Sequence, residues 1–227
     1  MSDRAAASAA LERALYAYVF DADVSDRFRS YREHTRVERF RHHYLVRLAE
    51  HMARLMPRFV AEVGPPQIED VIALRVELAR PDSTPAERLS AWQPLALASA
   101  ARHPRPALAR ELFWLERARA LTLAQPPASR ARVLAAIDEL AARERDAGAS
   151  PDDHPPVVCV TVRSSLPELL AMPLSTKSCL DSAARMPWPR HCISYHDASD
   201  GRLHRKCARD FDALRELVAS CPGGVDL

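Results

Sequence analysis

The feature that most constrains this chain is a change of apolar period close to residue 148. Before it, apolar side chains recur every three or four residues, the spacing of helices that bury one face. After it come a short β-branched run and a hairpin pattern. The cysteines divide at the same place. Cys159, Cys179, Cys192, Cys207 and Cys221 all follow it, and none precedes it. The intervening segment, Gly148 to Pro156, holds the prolines and turn formers of a linker. The expectation is a mainly α chain with an N-terminal multi-helix bundle over residues 1–148. A linker follows at 149–156, then a small α+β module of hairpin–helix order over 157–227. A chain of 227 residues is long enough to bury a core in such an arrangement.

Prolines and caps punctuate the helical part. Asp3 can cap an alanine-rich helix to about Phe20, and Ser25 or Asp26 a longer one. The longer helix carries Val37, Phe40, Tyr44, Leu48, Met52, Leu55 and Phe59 at helical steps. Pro57 is expected to kink or end it. A third helix opens at Pro65-Pro66 and closes at Pro81. Thr84, Pro85 and Glu87 form a capping-box start, and Pro94 is expected to interrupt the helix that follows. Two more helices are expected over 106–124 and 128–147.

In the last third, 157–162 reads as a buried strand. Ser175 or Thr176 is expected to cap a helix through Arg185, which Pro187-Trp188-Pro189 stops. Cys192 to His196 and Arg202 to Lys206 read as paired strands around an Asp197–Gly201 turn. A helix over 210–219 then buries Phe211, Leu214, Leu217 and Val218.

Several function classes drop out. Five scattered glycines offer neither a P-loop nor a dinucleotide fingerprint. A formal charge of +2 gives no global bias toward nucleic acid. No apolar run reaches transmembrane length. The first residues lack the apolar stretch of a secretory signal. The expected location is therefore the cytoplasm, or a host cytoplasm reached by a non-Sec route.

Charge is concentrated locally. Residues 27–58 carry nine arginines against three glutamates, with four histidines interleaved. Arg32, Arg36 and Arg39 lie on one flank of the helical wheel. Such a flank suits an acidic partner or a phosphate surface. The alternative is a solvated face with intrahelical pairs such as Glu33 to Arg36.

The hairpin and following helix bring metal chemistry into view. Cys192 and His196 could form one ligand pair, His204 and Cys207 another, with Cys221 able to replace one of them. Four N or S donors of this kind suit a single zinc. An odd cysteine count without a secretory signal argues against a disulfide framework.

Leu203-His204-x2-Cys207, an amphipathic helix and then Cys221-Pro222 resembles the second half of a RING finger. The hairpin–helix order is also similar to the U-box, which keeps that fold without metal. The resemblance covers about 20 residues within 157–227. It lacks the opening CxxC and the last cysteine of a RING, so it accommodates one zinc or none. It implies activity like that of a ubiquitin ligase or bacterial effector. The module would recruit a ubiquitin-conjugating enzyme through Ile193, Trp188, Leu214 and Pro222, while the helical part binds the target.

Two other readings stand beside it. One is a non-enzymatic helical adaptor with a structural tail. The other is a cysteine-dependent hydrolase or transferase built on Cys179. A helix N-terminus and Lys177 would favour the Cys179 thiolate. His191, His196 or His204 would serve as base, and Asp181, Asp197 or Asp200 as orienter.

Overall fold

The structure is a computed structural model describing residues 39, 43, 46, 47, 50–65, 84–147, 156–171 and 178–220. The elements in chain order are α1 (Pro57–Val63), α2 (Pro85–Arg102), α3 (Pro106–Leu123) and α4 (Arg130–Ala147). Then follow β1 (Val158–Ser164), α5 (Leu166–Ala171), α6 (Cys179–Ser182), β2 (Arg185–His196), β3 (Leu203–Ala208) and α7 (Phe211–Ala219). The described chain is mostly helical, with one small antiparallel sheet in its C-terminal part. It falls into two compact units, divided at residues 54/55, 64/65 and 96/97.

In the unit holding residues 65–96 and the chain up to Arg54, Met52, Leu89, Trp92 and Ala96 are buried. The capping box forms as the sequence predicts. Thr84 N–H donates to the Glu87 carboxylate (2.6 Å), and Glu87 N–H donates to Thr84 Oγ1 (3.2 Å). Pro94 does not interrupt the helix, which runs through it to Arg102. The proline removes an N–H that would have bonded the Ser90 carbonyl. Both residues lie on the exposed face, where water can serve that carbonyl. Pro57 does act as a boundary, standing at the first turn of α1.

The other unit is layered around the sheet. The strands run β1-β2-β3, each antiparallel to the next. One face of the sheet packs on α3, and α3 in turn packs on α1. Phe59 of α1 meets Phe113 of α3 edge to face at 5.6 Å. A helix covered on two sides buries residues round much of its circumference, as the many buried positions of α3 show, Glu116 and Thr122 among them. The other sheet face packs on α4 and α7. Val133, Ile137 and Leu140 of α4 share a core with Cys159, Ile193 and Tyr195 of the sheet and Phe211, Leu214 and Val218 of α7. This core joins elements on both sides of the Pro-rich segment 149–156.

Three elements differ from expectation. α5 (Leu166–Ala171) was not expected, and among the described residues of the helix expected to run through Arg185 only Cys179–Ser182 are helical, capped by Ser178. Residues 172–177, with the expected caps Ser175 and Thr176, lie outside the described residues. β2 also starts earlier than the sequence suggests, at Arg185. It pairs with β1 at Ser164–Arg185 and again from Val162–Arg190, so residues 186–189 stand opposite Arg163 alone. Pro187 and Pro189 have no N–H to give to a ladder, which explains the bulge between those two pairs. Arg190 closes it, donating to the Ser164 carbonyl (2.6 Å) and forking onto the Glu168 carboxylate.

Candidate functional site

The expected zinc ligands do not converge. In an antiparallel pair, side chains opposite each other share a face, and neighbours along a strand alternate. Tyr195 stands opposite His204, and His196 opposite Leu203. His204 and His196 therefore project from opposite faces of the sheet. Cys192 and His196 share a face but lie four positions apart, about 13 Å along a strand. Cys192 stands directly across from Cys207, with 4.1 Å between their Cα atoms, and the two sulfurs form a disulfide. In that state neither sulfur is a thiolate, the form that binds zinc. Cys221 lies outside the described residues.

The hairpin turn gathers a different donor set that spacing alone did not single out. Ligand atoms of Asp197, Asp200 and His204 lie within 4.8 Å of one another. Two carboxylates and an imidazole form a harder set than thiolates. These groups already have local bonds. His204 Nε2 is 2.9 Å from Asp200 Oδ2, and Asp197 Oδ1 accepts from the Ser199 N–H (2.8 Å) and hydroxyl (2.7 Å). The Arg202 N–H and His204 hold the Asp200 carboxyl below its usual range. The His204 ring also stacks on Tyr195 at 5.3 Å.

The surroundings of Cys179 oppose thiolate formation. Glu62 of α1 accepts from the Ser178 hydroxyl and from the Cys179 N–H (2.6 Å). Burial, then a hydrogen bond and charge from Glu62, push the Cys179 thiol up to about 12. Burial alone would also raise Glu62, but its bonds from Ser178 and Cys179 outweigh this and hold its carboxyl below the usual value. Lys177, the expected activator, lies outside the described residues. Of the expected bases, His191 stacks on Phe211 at 4.5 Å. Its ring nitrogens contact Thr161 Oγ1 and Glu144 Oε1, both at 3.4 Å. That is the outer limit of hydrogen bonding.

The expected partner-contact residues divide sharply. Ile193 and Leu214 are both 0% exposed and belong to the core. Trp188 is 46% exposed, on the proline-flanked bulge of β2, and the Arg209 guanidinium stands 5.5 Å from its ring centroid. Pro222, Arg32 and Arg36 lie outside the described residues. Arg39 is helical and exposed, as are His43, Arg47 and Arg54, which follow it at steps of four, four and seven. His51, on the same stretch, is held below its usual pKa by burial and by Arg88 and Arg54.

α3 also carries a buried carboxylate. Glu116 of α3 is 3% exposed and accepts from the N–H groups of Arg58 (2.8 Å) and Phe59 (3.3 Å) at the start of α1. Burial holds its carboxyl above the usual value. Arg205 of β3 reaches inward to the Leu115 carbonyl (3.0 Å), and burial lowers its pKa. These contacts tie α1 and β3 to α3.

No protein-family model matches the chain, and no curated protein or solved structure matches it. Among the described residues, no helix is long and apolar enough to cross a membrane.

Proposed function

We propose that this protein is a non-catalytic interaction protein. In this reading an N-terminal helical bundle and the sheet-containing unit each offer a surface to a protein partner. The observation that carries it is Trp188. A tryptophan with nearly half its surface exposed, braced by Arg209 and set between two prolines, is an anchor in search of a pocket. Trp and Arg are the side chains most enriched where binding energy concentrates. The prolines restrict the backbone, so little conformational entropy is lost on docking. The exposed series Arg39, His43, Arg47 and Arg54 supports a second, basic surface for an acidic partner.

The enzymatic readings draw less support. Transfer from a ubiquitin-conjugating enzyme rests on the hairpin–helix order, yet two of its four contact residues are core residues. A thiol enzyme needs a thiolate at neutral pH, and the Cys179 thiol lies near 12.

The test is site-specific photo-crosslinking. A photoreactive amino acid at position 188 should give a discrete protein adduct in lysate of the source cell, and the same group at exposed Arg132 of α4 should not. Arg209→Ala should weaken the adduct. Equal labelling from both positions, or none from 188, would remove the basis for the proposal.

A further inference from the structure

Among the described residues, no further strand lies outside either edge of the sheet. The outer edge of β1 is engaged at Arg163, whose N–H donates to Glu111 of α3 (3.0 Å). β3 has β2 on one side, and among the described residues no strand lies on the other. The 4.1 Å Cα separation of Cys192 and Cys207 is the short spacing of a non-hydrogen-bonded pair. The alternate pairs Ile193–Lys206 and Tyr195–His204 therefore exchange main-chain bonds. Leu203, Arg205 and Cys207 turn their main-chain donors and acceptors away from β2. Such a row is a template for another strand.

Charge says what kind of strand. From Arg202 to Arg209 the chain carries Arg202, Arg205, Lys206, Arg209 and His204, and no carboxylate. Arg202 and Arg209 are exposed at the two ends of the edge, and Lys206 is half-buried between them. A second copy added edge to edge would face these cations with its own, which disfavours self-pairing. The flank of α7 adds an apolar wall. Arg215 pairs with Asp138 of α4 on one side of α7 (3.0 Å). Ala213 and Leu217 lie on the opposite flank by helical period, and α7 packs on β3, so that flank borders the open edge. Leu217 is 41% exposed.

We propose that the open edge of β3 docks an acidic, extended segment of a partner protein as a fourth strand. Its main chain bonds Leu203, Arg205 and Cys207. Its carboxylates meet Arg202 and Lys206, and an apolar side chain on that same face, the one α7 covers, rests against Leu217. This is β-strand addition, in which the main chain supplies affinity and alternate side chains supply selectivity. The inference rests on the interaction reading and names the partner's chemistry.

The full chain and a labelled peptide matched to β3 in length, with glutamates and one leucine at alternate positions and threonines between them, test it. Fluorescence anisotropy at low salt should show binding that the same peptide with lysine in place of glutamate does not share. Raising salt should weaken it. Lys206→Glu and Arg202→Glu should each weaken it by about five- to tenfold. N-methylation of alternate peptide nitrogens, which leaves the protein untouched, should abolish it in one of the two registers. Amide exchange should slow at Arg205 and Cys207 on binding. Binding indifferent to N-methylation in both registers would overturn strand addition. Self-association through the β3 edge would overturn the choice of occupant. No binding of the acidic peptide, with the position-188 adduct intact, would sink this inference and leave the interaction reading standing. Loss of both would remove the two together.

Discussion

At the scale of single residues, protonation decides which chemistry is available. The Cys179 thiol, with an ordinary value of 9.0, is pushed to about 12 by burial and by Glu62. Its thiolate fraction at neutral pH is then roughly a thousandth of that of a free thiol. Alkylation by iodoacetamide, followed by mass spectrometry, should be slow at neutral pH and keep rising above pH 9. Glu62→Gln removes the negative charge that disfavours the thiolate, so alkylation of Cys179 should speed up. Cys159 should not respond, because its thiol is raised to about 12 by burial and by Glu144. Rapid labelling of native Cys179 at neutral pH would restore the thiol-enzyme reading. The same mass spectra should find Cys192 and Cys207 joined in the unreduced chain.

At the scale of elements, α3 organises the unit through its carboxylates. Glu111 receives the Arg163 N–H and the Ser164 hydroxyl (2.5 Å) of β1, and Glu116 receives the first N–H groups of α1. These bonds lie 52 to 58 residues apart in sequence, so no local pattern announces them. Glu116→Ala leaves two N–H groups without their acceptor, one of them in a fully buried residue, and should cost about 1–3 kcal/mol in chemical denaturation. The pH dependence has a definite sign. Burial raises the folded-state value of Glu116 above the ordinary 4.5, so the native state holds the proton more tightly. Its contribution to stability is greatest below 4.5 and is lost as pH rises through the raised value. Glu116→Gln keeps an acceptor and removes the titration. The melting temperature of the native chain, relative to this variant, should fall as pH rises across that window. A difference that does not change with pH would contradict the assignment. Local signals were legible by contrast. Thr84 and Glu87 close their capping box, and Asp210 caps α7 by accepting from the Ala213 N–H (2.8 Å). Each depends on residues three apart.

At the scale of the molecule, what the sequence hid was parity and partnership. The hairpin was readable from the turn at Asp197–Gly201, and the register observed there sets Cys192 across from Cys207. The composition argued against a disulfide framework, and only that register could reveal a single cross-strand bridge. Ile193 and Leu214, which the resemblance made partner contacts, are core residues because helices from elsewhere in the chain cover the sheet and α7. Their neighbours in the core include Val133, Ile137 and Leu140, on the far side of the linker-like segment. This has a direct consequence for dissection of the chain. A fragment from residue 149 onward keeps the whole sheet and α7 but loses α3 and α4, which cover its two faces. Burying each large aliphatic side chain contributes about 1.5–3 kcal/mol. Losing those three α4 side chains alone removes a large share of a typical domain stability of about 5–15 kcal/mol. The fragment should therefore lack a cooperative thermal transition by circular dichroism and bind a hydrophobic dye. A fragment from residue 97 onward, joined by a flexible linker to residues 55–64, should melt cooperatively, because it restores α1, α3 and α4 around the sheet. Cooperative melting of the shorter fragment would mean that β1, β2, β3 and α7 form a self-sufficient module after all.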